Sequence, residues 1–120
     1  MPVRRLKTYT SETGSVYQYY FVGKREALPG DPYSPATEYV FDVSSDRKVT
    51  FAVSIFLHEN AVGTWEQQHE RGLVDAEKYA AAKMKLLRAF DEIADLLRDG
   101  RRLLVGAEDL ELLLRQVGVE

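Results

Sequence analysis

Apolar and polar residues alternate with a period of two between Thr37 and Leu57. Tyr39, Phe41 and Val43 share one face of a first segment, and Val49, Phe51, Val53 and Ile55 share one face of a second. Glu38, Asp42, Ser44, Thr50 and Ser54 fall on the opposite side. Such alternation, rich in β-branched and aromatic residues, is what a half-buried antiparallel pair requires. Ser45-Asp46-Arg47 supplies turn chemistry between the two segments. The pattern predicts a hairpin over residues 37–57.

Upstream, residues 15–24 predict another strand, apolar on both faces. Tyr17, Tyr19 and Phe21 lie on one side, and Val16, Tyr20 and Val22 on the other. A two-sided apolar strand belongs inside a sheet or under cover on each side. Residues 3–9 add a further strand, turning at Glu12-Thr13-Gly14. Residues 26–36 carry Pro29, Pro32 and Pro35, which break a ladder and predict a surface loop. Their spacing also matches a PxxP ligand, a pattern too common to assign a role by itself.

Beyond the hairpin the period changes to that of a helix. Thr64 and Gln67 have capping-box spacing, and Gly72 suits a stop, predicting a short helix over 64–72. Asp75 then caps a long helix to about Asp99, with Tyr79, Ala82, Leu86, Phe90, Ile93 and Leu97 as its inner stripe. Gly100 ends it. Leu103-Leu104-Val105 is a short apolar stretch, and residues 107–117 form a last helix. Leu110, Leu113, Leu114 and Val117 face inward there, which leaves Leu112 outside.

Strands first and helices after define an α+β chain: an antiparallel meander of three or four strands packed against a long helix plus short flanking helices. We expect one domain over residues 1–120, with strands at about 3–57 and helices at about 60–118. Hydrophobic residues at 45% and charged residues at 29% suit an ordered, packed chain. The lack of cysteine excludes disulfides, thiolate metal sites and cysteine nucleophiles, and fits a cytoplasmic location. The basic N-terminus has no apolar run behind it, so no secretory signal and no membrane association are expected.

A net charge of −3 argues against a dedicated nucleic-acid binder. The charge is nevertheless uneven, with cations concentrated in residues 4–25 and carboxylates in residues 108–120.

Candidate chemistry is sparse. His58, Glu66 and His69 are the candidate metal ligands, since Glu66 and His69 at i,i+3 can share a helix face. A di-iron bundle needs two such pairs, and this chain has one. There is no nucleophile elbow and no glycine-rich phosphate loop. No cofactor is expected, and the reading favours a non-catalytic role. A small metal-dependent or ligand-binding enzyme, its site assembled from distant residues, is one alternative. Another is single-strand nucleic-acid binding, with Tyr17 and Tyr19 as stacking rings and Lys24 and Arg25 as a basic rim.

The preferred expectation is an interaction or assembly module. If the odd face of the hairpin meets the helices, the even face still offers Val40, Ala52 and Phe56, joined by Val16, Tyr20 and Val22. That is a large apolar area for a wet sheet, and such patches mark interfaces. Tyr20, Val40, Phe56 and Leu112 are the candidate contacts. The expected partner is a second copy, in a homodimer, or another protein.

Overall fold

The computed structural model describes residues 5–46 and 48–120. Val3 and Arg4 of the expected first strand, and Arg47 of the expected turn, lie outside the described residues. In chain order the elements are β1 (Lys7–Thr10), β2 (Val16–Glu26), β3 (Ala36–Ser45), β4 (Val49–His58), α1 (Glu59–His69), α2 (Asp75–Glu92), α3 (Leu96–Asp99), β5 (Arg102–Val105) and α4 (Ala107–Gln116). The fold is α+β. The sheet runs in the order β1-β2-β3-β4-β5, and its first four strands form an antiparallel meander.

β5 is the strand the expected meander lacks. It pairs parallel to β4, Ile55 with Leu103 and Leu57 with Val105. A parallel neighbour requires a long crossover, which α1, α2 and α3 provide. Strands are therefore not confined to the first half of the chain. The stretch Leu103-Leu104-Val105 is too short to show a period, so only tertiary pairing makes it a strand.

The β3–β4 register sets Tyr39 against Ile55, Phe41 against Val53 and Val43 against Phe51. All six are buried and face the helices, as the alternation requires. Tyr17 stacks on Phe90 of α2, with ring centroids 4.3 Å apart and planes 7° from parallel. β2 is apolar on both faces up to Phe21, and a bulge follows. Phe21 opposes Phe41 but Gly23 opposes Val40, so Val22 is an extra residue and the alternation inverts beyond it. Lys24 thus sits opposite Tyr39 on the helix side and reaches Asp75 at 3.7 Å, while Arg25 comes opposite Glu38 on the other face.

α1 begins at Glu59, five residues before the expected Thr64. His58 caps it, its Nδ1 accepting from the Asn60 amide at 3.1 Å. The helix ends at Glu70 in the left-handed region (φ 54°), two residues before Gly72. The Glu66 carboxylate then accepts the Leu73 amide at 2.7 Å and joins α1 to the approach of α2.

α2 starts at Asp75, one residue before the expected start because Val74 and not Asp75 holds the cap position, and it stops at Glu92. No proline or glycine lies at the break. Ile93 is extended, and Asp95 caps the new turn by accepting from the Arg98 amide at 3.1 Å. This swings Leu96 into the core at 3% exposure, while Leu97, expected inside, is 43% exposed. α4 closes the helical layer with Leu110, Leu113 and Leu114 fully buried. Lys85 and Arg88 of α2 clamp its Asp109 at 2.6 and 2.9 Å.

Candidate functional site

The helices and the contiguous core lie on one side of the sheet. The other side carries the even residues of β3 and β4 and, before the bulge, those of β2, and is the candidate interaction face. Val16, Gln18, Tyr20, Val40 and Ala52 are half-buried there, Val22 is 40% exposed and Leu104 of β5 is 37% exposed.

Several of its polar groups are paired within the face. The Tyr20 hydroxyl donates to Asp42 across the β2–β3 pair at 2.6 Å. Arg25 donates from Nε and Nη2 to the two Glu38 oxygens at 2.9 and 3.3 Å, and the Ser54 hydroxyl donates to Glu38 at 2.6 Å. Glu38 is only 8% exposed. The Arg25 hydrogen bond holds its carboxyl below the usual range, against the upward push of burial and with help from Ser54 and the charge of Arg102. A buried carboxylate with three donors is a satisfied structural ion.

The proline loop covers one end of this face. Ala27 donates its amide to the Ala36 carbonyl at the loop base, and the Asp31 and Ser34 amides donate to Leu28 and Asp31 carbonyls inside it. Asp31 forms an ion pair with Arg102 of β5. Tyr33 packs edge-on against Phe56 with centroids 5.1 Å apart, and the Arg102 guanidinium lies 4.7 Å from the centre of the Phe56 ring.

Phe56 is therefore 1% exposed. It faces the expected side but is not available as an outer contact, because Tyr33 and Arg102 occupy the space above it. Of the other three expected contacts, Tyr20 and Val40 lie near the middle of the face. Leu112 is 49% exposed on α4, away from the sheet.

The candidate metal ligands are not brought together. His58 and His69 stand at opposite ends of α1, about 16 Å apart along its axis. Glu66 is turned to Leu73, and His69 Nε2 lies 2.8 Å from Glu111 of α4, its ring stacked on Trp65. Among the described residues no three His, Cys, Asp or Glu side chains are grouped to hold a metal ion.

The aromatic platform dissolves for a similar reason. Tyr17 and Tyr19 are 4% and 5% exposed against Phe90, and Lys24 and Arg25 point to opposite faces after the bulge. No described helix is long and apolar enough to cross a membrane.

Sequence reading missed Glu38, Ser54, Asp31, Tyr33 and Arg102 as a set. Glu38 and Ser54 were legible as polar members of the even face. Arg102 could not be placed without recognising β5. Comparison with protein-family models, with curated proteins and with solved structures finds no match to this chain.

Proposed function

We propose that this protein is an assembly module that self-associates through the open sheet face, centred on Val40 and Tyr20. The observation that supports it most is the one-sided layering: five strands are covered by helices on one face only, and apolar side chains line the middle of the other. The occupant we assign is a second copy. Two of the ion sets on the face are neutralised in place, Arg25 by Glu38 and Arg102 by Asp31, and Asp42 accepts the Tyr20 hydroxyl, so most of the charge on each face is already engaged before two copies meet. A two-fold axis through Val40 would use the same residues twice. The cytoplasmic location belongs to the same reading.

Strand spacing and rise give the uncovered part of the face a footprint of about 600 Å². That is below the roughly 800 Å² per partner of a standard interface, so the dimer should dissociate on the order of micromolar concentration.

The test is light scattering across a concentration series on the wild type and on Val40→Lys. Glu38 and Asp42 flank Val40 on the same face, so the new lysine has carboxylates beside it in the monomer. We expect a concentration-dependent dimer in the wild type and a monomer with nearly unchanged melting temperature in the variant. A wild type that stays monomeric to hundreds of micromolar refutes the proposal, as does a Val40→Lys dimer of undiminished affinity. The single-strand nucleic-acid reading draws no support from Tyr17 and Tyr19, whose rings are packed in the core.

A further inference from the structure

β5 is the outermost strand at one side of the sheet, and only half of its backbone is in use. The Ser54 amide donates to the Arg101 carbonyl at 2.8 Å, and Leu103 and Val105 lie opposite Ile55 and Leu57 in the parallel register. Alternate residues of a strand turn their backbone groups to opposite sides. Arg101, Leu103 and Val105 therefore bond toward β4, and the amides and carbonyls of Arg102 and Leu104 point away from it. Among the described residues nothing pairs with those four groups.

Such an edge is normally blunted by charge, proline or a bulge. At the opposite side of the sheet β1 reads Lys-Thr-Tyr-Thr, whereas β5 reads Arg-Leu-Leu-Val with no proline. Arg102 is no guard, because its guanidinium is committed to Asp31 and to the Phe56 ring. Leu104, on the same side of the sheet, is 37% exposed. The two ends of the edge carry opposite charges. Arg101 donates from Nε to the Ala52 carbonyl at 3.1 Å, and Glu108 lies in the first turn of α4. Neither forms an ion pair among the described residues.

From this geometry we propose that the outer edge of β5 takes up an extended segment of a partner protein as a sixth strand. The segment runs antiparallel to β5, the more stable pairing per residue. It carries an apolar residue opposite Leu104 and an acidic one three positions later, opposite Arg101. Its leading end, which passes Glu108, is basic. The charges at the two ends fix the direction, and the four backbone groups supply the attachment. This surface lies in the plane of the sheet and does not depend on self-association through the open face.

The test is amide chemical-shift titration of the whole chain with acetyl-Lys-Thr-Val-Val-Thr-Glu-amide, whose first valine is to sit opposite Leu104. Two amides and two carbonyls paired at ordinary net strength give a dissociation constant of about 1 mM. We expect saturable shifts along β5 and slower hydrogen exchange at Leu104. Without peptide, the Arg102 and Leu104 amides should exchange fast, and those of Leu103 and Val105 slowly. N-methylation of the first valine, whose amide faces β5, should weaken binding at least about tenfold. N-methylation of the second valine, whose amide faces away, should change it less than about twofold. Exchanging the terminal Lys and Glu should weaken binding about threefold.

Leu104→Pro removes one outward amide without touching the ladder to β4, and should abolish binding in a protein that still melts cooperatively. No saturation by about 10 mM peptide overturns the proposal. So does equal binding of the two N-methylated peptides, or of the charge-exchanged one. Leu104 exchange that slows as the protein alone is concentrated gives the edge to a second copy, and overturns the partner assignment.

Discussion

Asp91 fastens the edge of the sheet to the helical layer, and removing it offers a graded test of how that edge is held. Both of its oxygens are in use. Oδ2 accepts from the Tyr9 hydroxyl at 2.6 Å, and Oδ1 accepts from the Glu12 amide at 2.9 Å. The first bond is partly buried with an ionised acceptor, worth about 1.5 kcal/mol, and the second is exposed and worth about 0.5–1 kcal/mol. Asp91→Ala should therefore destabilise by about 2 kcal/mol. Asp91→Asn, which retains one acceptor oxygen, should cost about 1 kcal/mol. For a chain of this size about 4 °C per kcal/mol is expected, so the alanine variant should melt about 8 °C lower.

The pH dependence supplies an independent check. The Asp91 hydrogen bond, with burial and the Asp91 charge assisting, pushes the Tyr9 phenol up to about 12 from an ordinary 10. A group raised in the folded state stabilises fully below its unfolded value and loses that contribution as pH rises through its folded value. The stability gap between wild type and Asp91→Ala should thus be flat from pH 7 to about 9.5 and shrink between about 10 and 12. Urea denaturation along a pH series measures it. A gap under about 0.5 kcal/mol at pH 7, or one that widens above pH 10, refutes the reasoning.

Three further outcomes follow from other contacts. At Gly100 an added Cβ would come within 2.3 Å of Leu96 Cδ1, so Gly100→Ala should lower stability by about 1–3 kcal/mol in chemical denaturation, unlike Gly72→Ala, whose nearest contact is 3.3 Å. Asp109 is pushed up by burial but held lower overall by the Lys85 and Arg88 hydrogen bonds; its contribution is present above the unfolded carboxylate range and lost as pH falls through the depressed folded value, so acid titration should destabilise the wild type more than Asp109→Asn. Leu112→Lys should change stability by less than about 0.5 kcal/mol and leave the solution mass unaltered, because its side chain faces water on α4; a mass change would move the assembly surface to that helix.

The elements that could be read from the chain are those whose periodicity and burial agree locally. The β3–β4 hairpin follows from its alternation, and Asp75 marks the start of α2 to within one residue. α1 was read too short because its cap is His58, an uncommon N-cap, and Thr64 with Gln67 imitated a start. The α2–α3 break carries no helix breaker; it exists because burying Leu96 and capping with Asp95 outcompete one continuous helix. The two apolar faces of β2 are real as far as Phe21, but the bulge at Val22, which moves Lys24 and Arg25 to opposite faces from those a regular strand would give, left no mark in the pattern. The open face was legible as a surface, but its cover was not. Tyr33 and Asp31 meet Phe56 and Arg102 only through pairings made far along the chain.

The parallel strand at the edge of the sheet has a consequence for how the chain reaches this fold. Ser45 meets Val49 across four residues, whereas Ser54 must wait for Arg102, about 48 residues away. Closing the longer loop costs about 2 kcal/mol more in chain entropy, and it depends on three helices docking first. β4, whose Val53, Ile55, Phe56 and Leu57 are among the most apolar residues of the sheet, therefore spends early folding with its outer backbone unpaired. That interval is when neighbouring nascent chains could add strands to it, so mutations that weaken the pairing of β5 should raise aggregation during synthesis more than they lower the final stability.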